Sequence, residues 1–151
     1  MLETGVPAPD LRATDTAGAT FSLADRRGVA PVLIYFARST GCPVCAAHVR
    51  DLARRQGEFA GVEVVVAVPE DQAAARAWRE RHALPFTVLT GDDGAAHASI
   101  GLRRTMFGSM QQSGTVLVDA AGVVRYVRTA TLPTGGYDRR ETTEAVAALT
   151  R

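Results

Sequence analysis

Cys42 and Cys45 are the only cysteines in this chain, and just Pro43 and Val44 separate them. An apolar run typical of a buried strand, Val32–Phe36, precedes the pair, and a helical pattern follows it. Two thiols at this spacing, between a strand and a helix, are typical of dithiol redox chemistry. The sequence therefore predicts a redox centre at residues 42–45.

The thiolate is the reactive form of cysteine, and an ordinary cysteine has a pKa of about 8.5. Free N–H groups and the positive end of the dipole stabilise a thiolate at a helix N-terminus. We expect Cys42 to lie there, because Pro43 suits the first helical position. Cys45 then lies one turn deeper on the same face, within reach for a disulfide. Cys42 is predicted to attack and Cys45 to resolve.

Two other interpretations of the cysteine pair stay open. Cysteines also pack as small apolar residues inside core helices, and a Cys-x-x-Cys pair can supply half of a zinc site. Zinc needs two further ligands, whereas the histidines, His48, His82 and His97, are isolated in the sequence. The non-enzymatic alternative is a copper(I)- or zinc-binding module. For the redox centre we expect neither a metal nor a cofactor.

The composition is that of an ordinary soluble protein: 151 residues, 46% hydrophobic, 22% charged and a net charge of +1. This balance gives no reason to expect nucleic acid or a membrane as partner. The chain contains no lysine, and arginine pairs such as Arg54-Arg55 are expected on solvated faces. No signal sequence and no transmembrane stretch are visible, so we expect a cytoplasmic protein, where disulfides are more often catalytic than structural.

Strand and helix patterns alternate along the chain. The predicted elements are a hairpin over 9–23, a strand over 32–36, a helix over 42–56, a strand over 62–68, a helix over 70–82, a short segment over 84–89, a turn at 91–94, a brief helix through Ile100 and Leu102, a hairpin of 115–118 with 123–127, and a helix over 141–149. This order implies an α/β fold with a mixed sheet covered on both faces. No linker divides the chain, so we predict a single domain over residues 1–151.

Four stretches resemble the alkyl hydroperoxide reductase/thiol-specific antioxidant (AhpC/TSA) family, the peroxiredoxin-type members of the thioredoxin superfamily. They are residues 5–11 with 21–23, the strand-to-cysteine segment, residues 84–94, and residues 115–126. The Cys-x-x-Cys pair, preceded by Gly41 and Arg38, is similar to the branch related to selenoprotein U. The resemblance implies a thioredoxin-like fold with a mixed central sheet flanked by helices, an N-terminal hairpin, and antioxidant activity.

The chain departs from the family's peroxidatic motif, P-x-x-x-T-x-x-C. Counting back from Cys42 places Ser39 at the threonine and Tyr35 at the proline. The arginine that the family carries before its late strand corresponds to Ser113, and the surrounding segment, 111–114, also lacks the proline of thioredoxin-like reductases. Both hallmark partners of the cysteine are therefore missing at their usual positions.

An arginine is needed to polarise a peroxide and to hold the thiolate. Arg38 is the best placed in sequence, and Arg103 and Arg104 are second candidates. The predicted catalytic residues are Cys42, Cys45, Ser39, Thr40 and Arg38.

Other residues that could take part in binding or catalysis are interpreted mainly as structural. His48 follows Cys45 by one turn and could touch the resolving thiol, but we interpret it as an exposed helix histidine. Trp78 is interpreted as packing. Met106, Phe107 and Met110 are predicted either to edge an apolar groove or to pack as lid or core.

Two reactions fit the dithiol. In the first, the Cys42 thiolate reduces a peroxide, and the resulting sulfenic acid condenses with Cys45. In the second, Cys42 attacks a disulfide and Cys45 resolves the mixed disulfide, as in a thioredoxin-like protein-disulfide reductase. The resemblance favours peroxide. Either cycle requires an external thiol reductant, such as a thioredoxin-like protein or a low-molecular-weight thiol, and the resemblance also admits a homodimer.

Overall fold

The computed structural model describes residues 2–91, 95–105 and 110–150. Its strands and helices alternate along the chain. In order they are β1 Arg12–Thr14, β2 Thr20–Ser22, β3 Val32–Phe36, α1 Pro43–Arg54, β4 Glu63–Ala67, α2 Gln72–Arg81, β5 Thr87–Leu89, α3 Ala95–Ser99, β6 Arg104–Thr105, β7 Met110–Gln111, β8 Ser113–Val118, β9 Val124–Ala130 and α4 Arg139–Ala148. Single 3₁₀ turns follow β2, α1 and β9, at Leu23–Arg26, Gln56–Phe59 and Pro133–Gly135.

The central sheet has five strands in the order β5-β4-β3-β8-β9. Strand β3 runs parallel to β4 and antiparallel to β8, so the sheet is mixed, and β1 and β2 form a separate N-terminal hairpin. This architecture confirms the predicted α/β class. Because β3 is the middle strand, its carboxyl end and the loop that follows it open at the centre of the sheet edge.

The side chains of β3 alternate between two apolar cores, one on each face of the sheet. Leu33 and Tyr35 belong to the core that α1, α2 and α4 cover, and both cysteines belong to it as well. Ile34 and Phe36 belong to the opposite core, which the N-terminal hairpin and α3 cover. Every residue of β3 is buried, which explains its uninterrupted apolar sequence. The cysteines and Tyr35 thus share one face of the sheet.

Two predicted elements near the sheet edge differ from the structure. The brief helix expected to continue through Leu102 ends at Ser99, because Gly101 adopts a left-handed conformation with φ of 87°. Beyond it, β6 and β7 pair as a short antiparallel ribbon, an element that is not among those predicted from the sequence. The turn predicted at 91–94 lies outside the described residues except for Gly91.

Arg55 is buried, with 7% of its side chain exposed, so the expectation of a solvated arginine pair is wrong for this residue. Its guanidinium donates to the carboxylate of Glu58 and to the hydroxyls of Tyr137 and Thr143. Tyr137, just before α4, and Thr143, on α4, supply two of these partners, and Glu58 lies in the 3₁₀ turn that follows α1. Arg54, on the outer side of the helix, is exposed.

Among the described residues, no helix is both long enough and apolar enough to cross a membrane.

Candidate active site

Cys42 is the N-cap of α1, and Pro43 is the first residue of the helix, as the sequence predicts. The Cys42 backbone is extended, with φ of −82° and ψ of 116°, so its side chain turns back toward the first helical turn. There the sulfur accepts a hydrogen bond from the Cys45 amide at 3.3 Å. The thiol therefore lies where the helix dipole and the free amides favour its ionised form.

The pKa of Cys42 lies below that of an ordinary cysteine. Burial, the largest effect, opposes ionisation, but four hydrogen bonds together outweigh it. The donors are the Cys45 amide, the Cys45 thiol, the Arg38 side chain and the Val44 amide. The sulfur is also enclosed, since Cys42 is only 2% exposed. The site thus favours the ionisation of Cys42 while it encloses the sulfur almost completely.

Cys45 shows the opposite behaviour. It is completely buried, and burial is the largest of the effects that raise its pKa. The Arg38 amide donates to its sulfur across 3.3 Å, and this bond and the adjacent Tyr35 hydroxyl favour the thiolate, but the neighbouring Cys42 works against a second negative charge. The environments of the two thiols therefore push their pKa values apart, with Cys42 ionising first.

A carboxylate from the next strand–helix connection holds the loop before Cys42. One oxygen of Glu70 accepts both the Thr40 amide, at 2.9 Å, and the Thr40 hydroxyl, at 3.0 Å. The preceding carbonyl, of Ser39, accepts the Cys42 amide at 3.4 Å. Thr40 thus anchors the loop, while Ser39 contributes a main-chain contact. The sequence carries no signal for Glu70, because it lies 30 residues from its partner.

The side chain of Arg38 reaches the cysteine pair, where it hydrogen-bonds to the Cys42 sulfur. Its own amide binds the Cys45 sulfur, so this one residue contacts both thiols. The second candidates, Arg103 and Arg104, are exposed residues at the start of the β6–β7 ribbon. Among the three candidate arginines, it is Arg38 that contacts the sulfur of Cys42.

Ser113, where the family resemblance places an arginine, is completely buried. The backbone of Gly136 covers it so closely that a Cβ added to that glycine would lie 2.3 Å from the Ser113 hydroxyl oxygen. An arginine side chain has no room there. The segment 111–114 also contains no cis peptide bond, and the described chain has none elsewhere. Packing therefore excludes the family's arginine at Ser113, and the backbone of this segment has no cis-proline either.

His48 is half-buried, so its interpretation as an exposed helix histidine is wrong. Its Nδ1 lies 2.9 Å from the hydroxyl of Tyr35, and its ring packs 5.1 Å from that of Tyr137, centroid to centroid. The Tyr35 hydroxyl also hydrogen-bonds to Cys45. Sequence reasoning noted that His48 follows Cys45 by one helical turn, but only the packing of β3 on α1 supplies the tyrosine between them.

His97 is fully buried in α3, with Nε2 2.7 Å from the carbonyl oxygen of Ala37. Because a carbonyl only accepts, Nε2 carries the proton and donates. The ring packs edge-on against Phe36, with centroids 5.3 Å apart. Burial lowers the pKa of His97 to about 4, so the imidazole is neutral at ordinary pH. Its hydrogen bond holds Ala37, the residue immediately before Arg38, in place.

Metal binding finds little support in the side-chain arrangement. Over residues 2–91, 95–105 and 110–150, no three His, Cys, Asp or Glu side chains cluster closely enough to hold a metal ion. The ring nitrogens that His48 and His97 direct inward are already hydrogen-bonded to Tyr35 and Ala37. The copper or zinc alternative thus lacks a third ligand in the described part of the chain.

Two remaining interpretations concern apolar residues. Trp78 is fully buried in the α2 face of the core, which confirms its interpretation as packing. The groove predicted from Met106 and Phe107 lies outside the described residues, and Met110 begins β7.

Comparison with known proteins identifies similar sequences. The model of the AhpC/TSA family matches residues 4–127. The chloroplastic peroxiredoxin Q of Triticum aestivum is 30% identical over 126 residues, which is 82% of this chain and 57% of that protein. The chain thus spans less than two thirds of the length of such curated relatives.

Solved structures share the fold. The peroxidoxin BcpB of Mycobacterium tuberculosis has a TM-score of 0.82 at 18% identity, covering 99% of this chain and 97% of that one. A secreted disulfide oxidoreductase of the same organism has a TM-score of 0.67 at 25% identity, covering 91% and 95%. These likenesses confirm the thioredoxin-like fold.

Proposed function

Because the chain belongs to the AhpC/TSA family, we propose that it reduces hydroperoxides with thiols, using Cys42 as the attacking and Cys45 as the resolving cysteine. The observation that carries this proposal is the opposite shift of the two thiol pKa values within one helical turn. An attacking thiol must be ionised before the substrate arrives, whereas a resolving thiol is best kept protonated until it is needed. The family and the site electrostatics support the same assignment.

In the first step, the Cys42 thiolate attacks one oxygen of the hydroperoxide. An S–O bond forms, the O–O bond breaks, and the sulfur is oxidised to a sulfenic acid while alkoxide or hydroxide leaves and takes a proton from solvent. In the second step, the Cys45 thiolate attacks the Cys42 sulfur. An S–S bond forms, the S–O bond breaks, and the departing hydroxide becomes water.

The loop residues serve the first step. Arg38, which hydrogen-bonds to the Cys42 sulfur, takes the part of the arginine that the family carries elsewhere. Its guanidinium stabilises the thiolate and the charge that develops on the leaving oxygen. Thr40, tied to Glu70, holds the loop in place, and the hydroxyl of Ser39 corresponds to the motif threonine that orients the peroxide.

A disulfide must then be reduced to close the cycle. We propose that an external thiol does this, either a thioredoxin-like protein or a low-molecular-weight thiol, in a reducing compartment such as the cytoplasm. Two electrons pass from the external thiols to the Cys42–Cys45 disulfide, which returns to the dithiol while the external thiols form a disulfide.

Protein-disulfide reduction is the second candidate function, because one similar structure is that of a disulfide oxidoreductase. A dithiol can carry out this reaction as well as peroxide reduction. The exposure of the attacking sulfur favours peroxide over a protein substrate. With both thiols free, Cys42 is 2% exposed, which suits attack on a small oxidant better than attack on a disulfide held on the surface of a protein. The external reductant reacts instead with the disulfide form. To attack a disulfide on another protein, the Cys42 sulfur would have to be accessible at the surface, so that it could approach the disulfide in line.

Stopped-flow oxidation of the reduced protein separates the two candidates. We expect hydrogen peroxide or an organic hydroperoxide to oxidise Cys42 orders of magnitude faster than a free cysteine, with a second-order rate that Cys42→Ser abolishes. An oxidised protein dithiol partner is expected to react slowly. A peroxide rate equal to that of free cysteine, together with rapid exchange with a protein disulfide, would overturn the peroxidase proposal in favour of the reductase.

A further inference from the structure

Cys45 has no contact with solvent, yet it must lose a proton before it can attack Cys42. Water cannot take that proton directly from a completely buried thiol. A group that touches the Cys45 sulfur must accept the proton and pass it outward. The structure places one hydroxyl in that position, that of Tyr35, which hydrogen-bonds to Cys45.

The same hydroxyl lies 2.9 Å from Nδ1 of His48. A phenol has one proton to donate and lone pairs to accept another, so it can bridge a thiol and an imidazole. His48 follows Cys45 by one turn of α1 and is half-exposed. The chain of contacts therefore leads from the buried sulfur, through one buried hydroxyl, to a ring that borders solvent.

We propose that Tyr35 and His48 form a proton relay that activates the resolving cysteine, Cys45. The inference rests on the proposed dithiol cycle, but it concerns only the second chemical step. As Cys45 approaches the Cys42 sulfenic acid, its thiol proton moves to the Tyr35 oxygen while the Tyr35 proton moves to Nδ1 of His48. The result is a Cys45 thiolate, a neutral Tyr35 and a His48 imidazolium.

The relay balances over the whole step. The thiolate of Cys45 forms the S–S bond, hydroxide leaves Cys42, and the imidazolium of His48 releases its proton to solvent, where hydroxide becomes water. The net reaction is sulfenic acid plus thiol to disulfide plus water, and Tyr35 and His48 end as they began. Tyr35 touches the reacting sulfur, whereas His48 acts through Tyr35.

The surroundings of His48 keep its ring neutral and therefore able to accept a proton. Burial, the largest effect, lowers its pKa, and the carboxylate of Asp51 on the same helix partly offsets this. From the other elements, Tyr35 on β3 and Tyr137 before α4 face the ring, and the Tyr137 hydroxyl donates to Asp51 at 2.7 Å. His48 is therefore mostly neutral at neutral pH, and in the tautomer that carries its hydrogen on Nε2, Nδ1 accepts the hydrogen bond of the Tyr35 hydroxyl and can take its proton.

The experiment measures the resolving step alone, with two oxidants. A hydroperoxide generates the sulfenic acid, and methyl methanethiosulfonate places a methylthio group on the Cys42 sulfur as a mixed disulfide, with methanesulfinate as the leaving group and without any peroxidase activity. Rapid quenching, alkylation and mass spectrometry then follow the loss of either adduct as the disulfide forms. The variants are Tyr35→Phe and His48→Gln. The matched control is Tyr126→Phe, which removes a tyrosine hydroxyl that donates to Glu141 and leaves the contacts of Tyr35 and His48 unchanged.

We expect both relay variants to form the adducts at nearly the wild-type rate but to resolve them about 100-fold more slowly. The Tyr126→Phe control should resolve at the wild-type rate. In the wild-type protein the resolving rate should reach a plateau near neutral pH, once His48 is neutral. In His48→Gln it should keep rising with pH, because Cys45 must then lose its proton directly.

Resolving rates of Tyr35→Phe and His48→Gln within about twofold of wild type, on both adducts, would overturn the relay. So would an unchanged pH profile in His48→Gln, since a purely structural role would not move the plateau. If the wild-type protein forms no sulfenic acid with hydroperoxide, the proposed function fails, and the methylthio adduct still decides the relay.

Discussion

The amide nitrogen of Cys45 donates a hydrogen bond to the sulfur of Cys42 across 3.3 Å. The resolving residue thus stabilises, through its main chain, the thiolate of the sulfur that it attacks once a peroxide has oxidised that sulfur. Because the bond does not use the Cys45 side chain, Cys45→Ser retains it and also keeps a side-chain hydroxyl to donate. We expect the pKa of Cys42 in this variant to remain below the ordinary cysteine value, as read from the pH dependence of alkylation by iodoacetamide.

The same variant reports the order of the two thiols. With no resolving thiol, a hydroperoxide should leave a sulfenic acid on Cys42 that dimedone traps and mass spectrometry locates. Trapping on Cys45 in the reciprocal Cys42→Ser variant, at a rate comparable to that in Cys45→Ser, would reverse the assigned roles.

Arg38→Met removes a cation that hydrogen-bonds to the Cys42 sulfur. The pKa of Cys42 should rise toward the ordinary value, and the second-order rate with hydroperoxide should fall at least about tenfold, the effect of losing one charge-assisted hydrogen bond. Stopped-flow kinetics over a range of pH measures both quantities. Arg103→Met is the matched control, since this exposed arginine should leave the rate unchanged; an equal loss in both variants would contradict the role of Arg38.

Glu70→Gln keeps the shape of the side chain that anchors Thr40 but removes its charge. The free energy of unfolding should fall by about 1–2 kcal/mol, since a charge-assisted hydrogen bond becomes neutral. Urea denaturation provides the measurement, and the peroxide rate should fall as the loop loosens. Glu80→Gln, at an exposed ion pair with Arg76, should change stability by less than about 0.5 kcal/mol. A similarly small change in Glu70→Gln would show that the charge of Glu70, which holds Thr40, contributes nothing to the free energy of unfolding.

His97 makes folding sensitive to acid. Burial lowers its pKa in the folded protein to about 4, below the value of 6.5 of an unfolded histidine. Between these values the unfolded chain binds the extra proton, so stability should fall as pH drops from 6.5 toward 4, by about 3 kcal/mol in total. His97→Gln retains a donor for the Ala37 carbonyl and should flatten this part of the pH profile. Urea unfolding midpoints measured across the window test it, and a variant with the wild-type slope would exclude His97 as the cause.

Ser113→Arg restores an arginine at the position that the family resemblance indicates. We expect it to lower the free energy of unfolding by about 3 kcal/mol or more, because Gly136 leaves no space and the charge would be buried without a partner. The peroxide rate should not increase. Thr129→Arg, at an exposed position on the adjacent strand, should be tolerated. A stable Ser113→Arg protein with a faster peroxide rate would show that the position is open.

Local patterns predicted the elements that carry the site. The five apolar residues of β3 were bounded correctly, since a central strand buried on both faces needs an unbroken apolar run. The start of α1 was correct because Pro43 suits only the first turn of a helix. The β6–β7 ribbon was missed, because strands of two residues are too short to show any periodicity.

The residues around the thiols were less accessible to sequence reasoning. Thr40 and Glu70 meet across 30 residues, and no spacing rule joins them. His48 was misjudged as exposed because its burial depends on Tyr137, which arrives from the segment before α4. In each case the partner comes from another element, and its approach is set by packing on the sheet.

The sequence by itself determined the chemistry: two cysteines three residues apart, at the start of a helix that follows a buried strand. Local backbone geometry is enough to bring those sulfurs together. The tertiary structure decided what surrounds them, namely Arg38 at Cys42, Tyr35 and His48 behind Cys45, and Gly136 over Ser113. Apart from the local contact of Arg38 with Cys42, those contacts join different elements, so they exist only once β3, α1 and the C-terminal segment pack on one another.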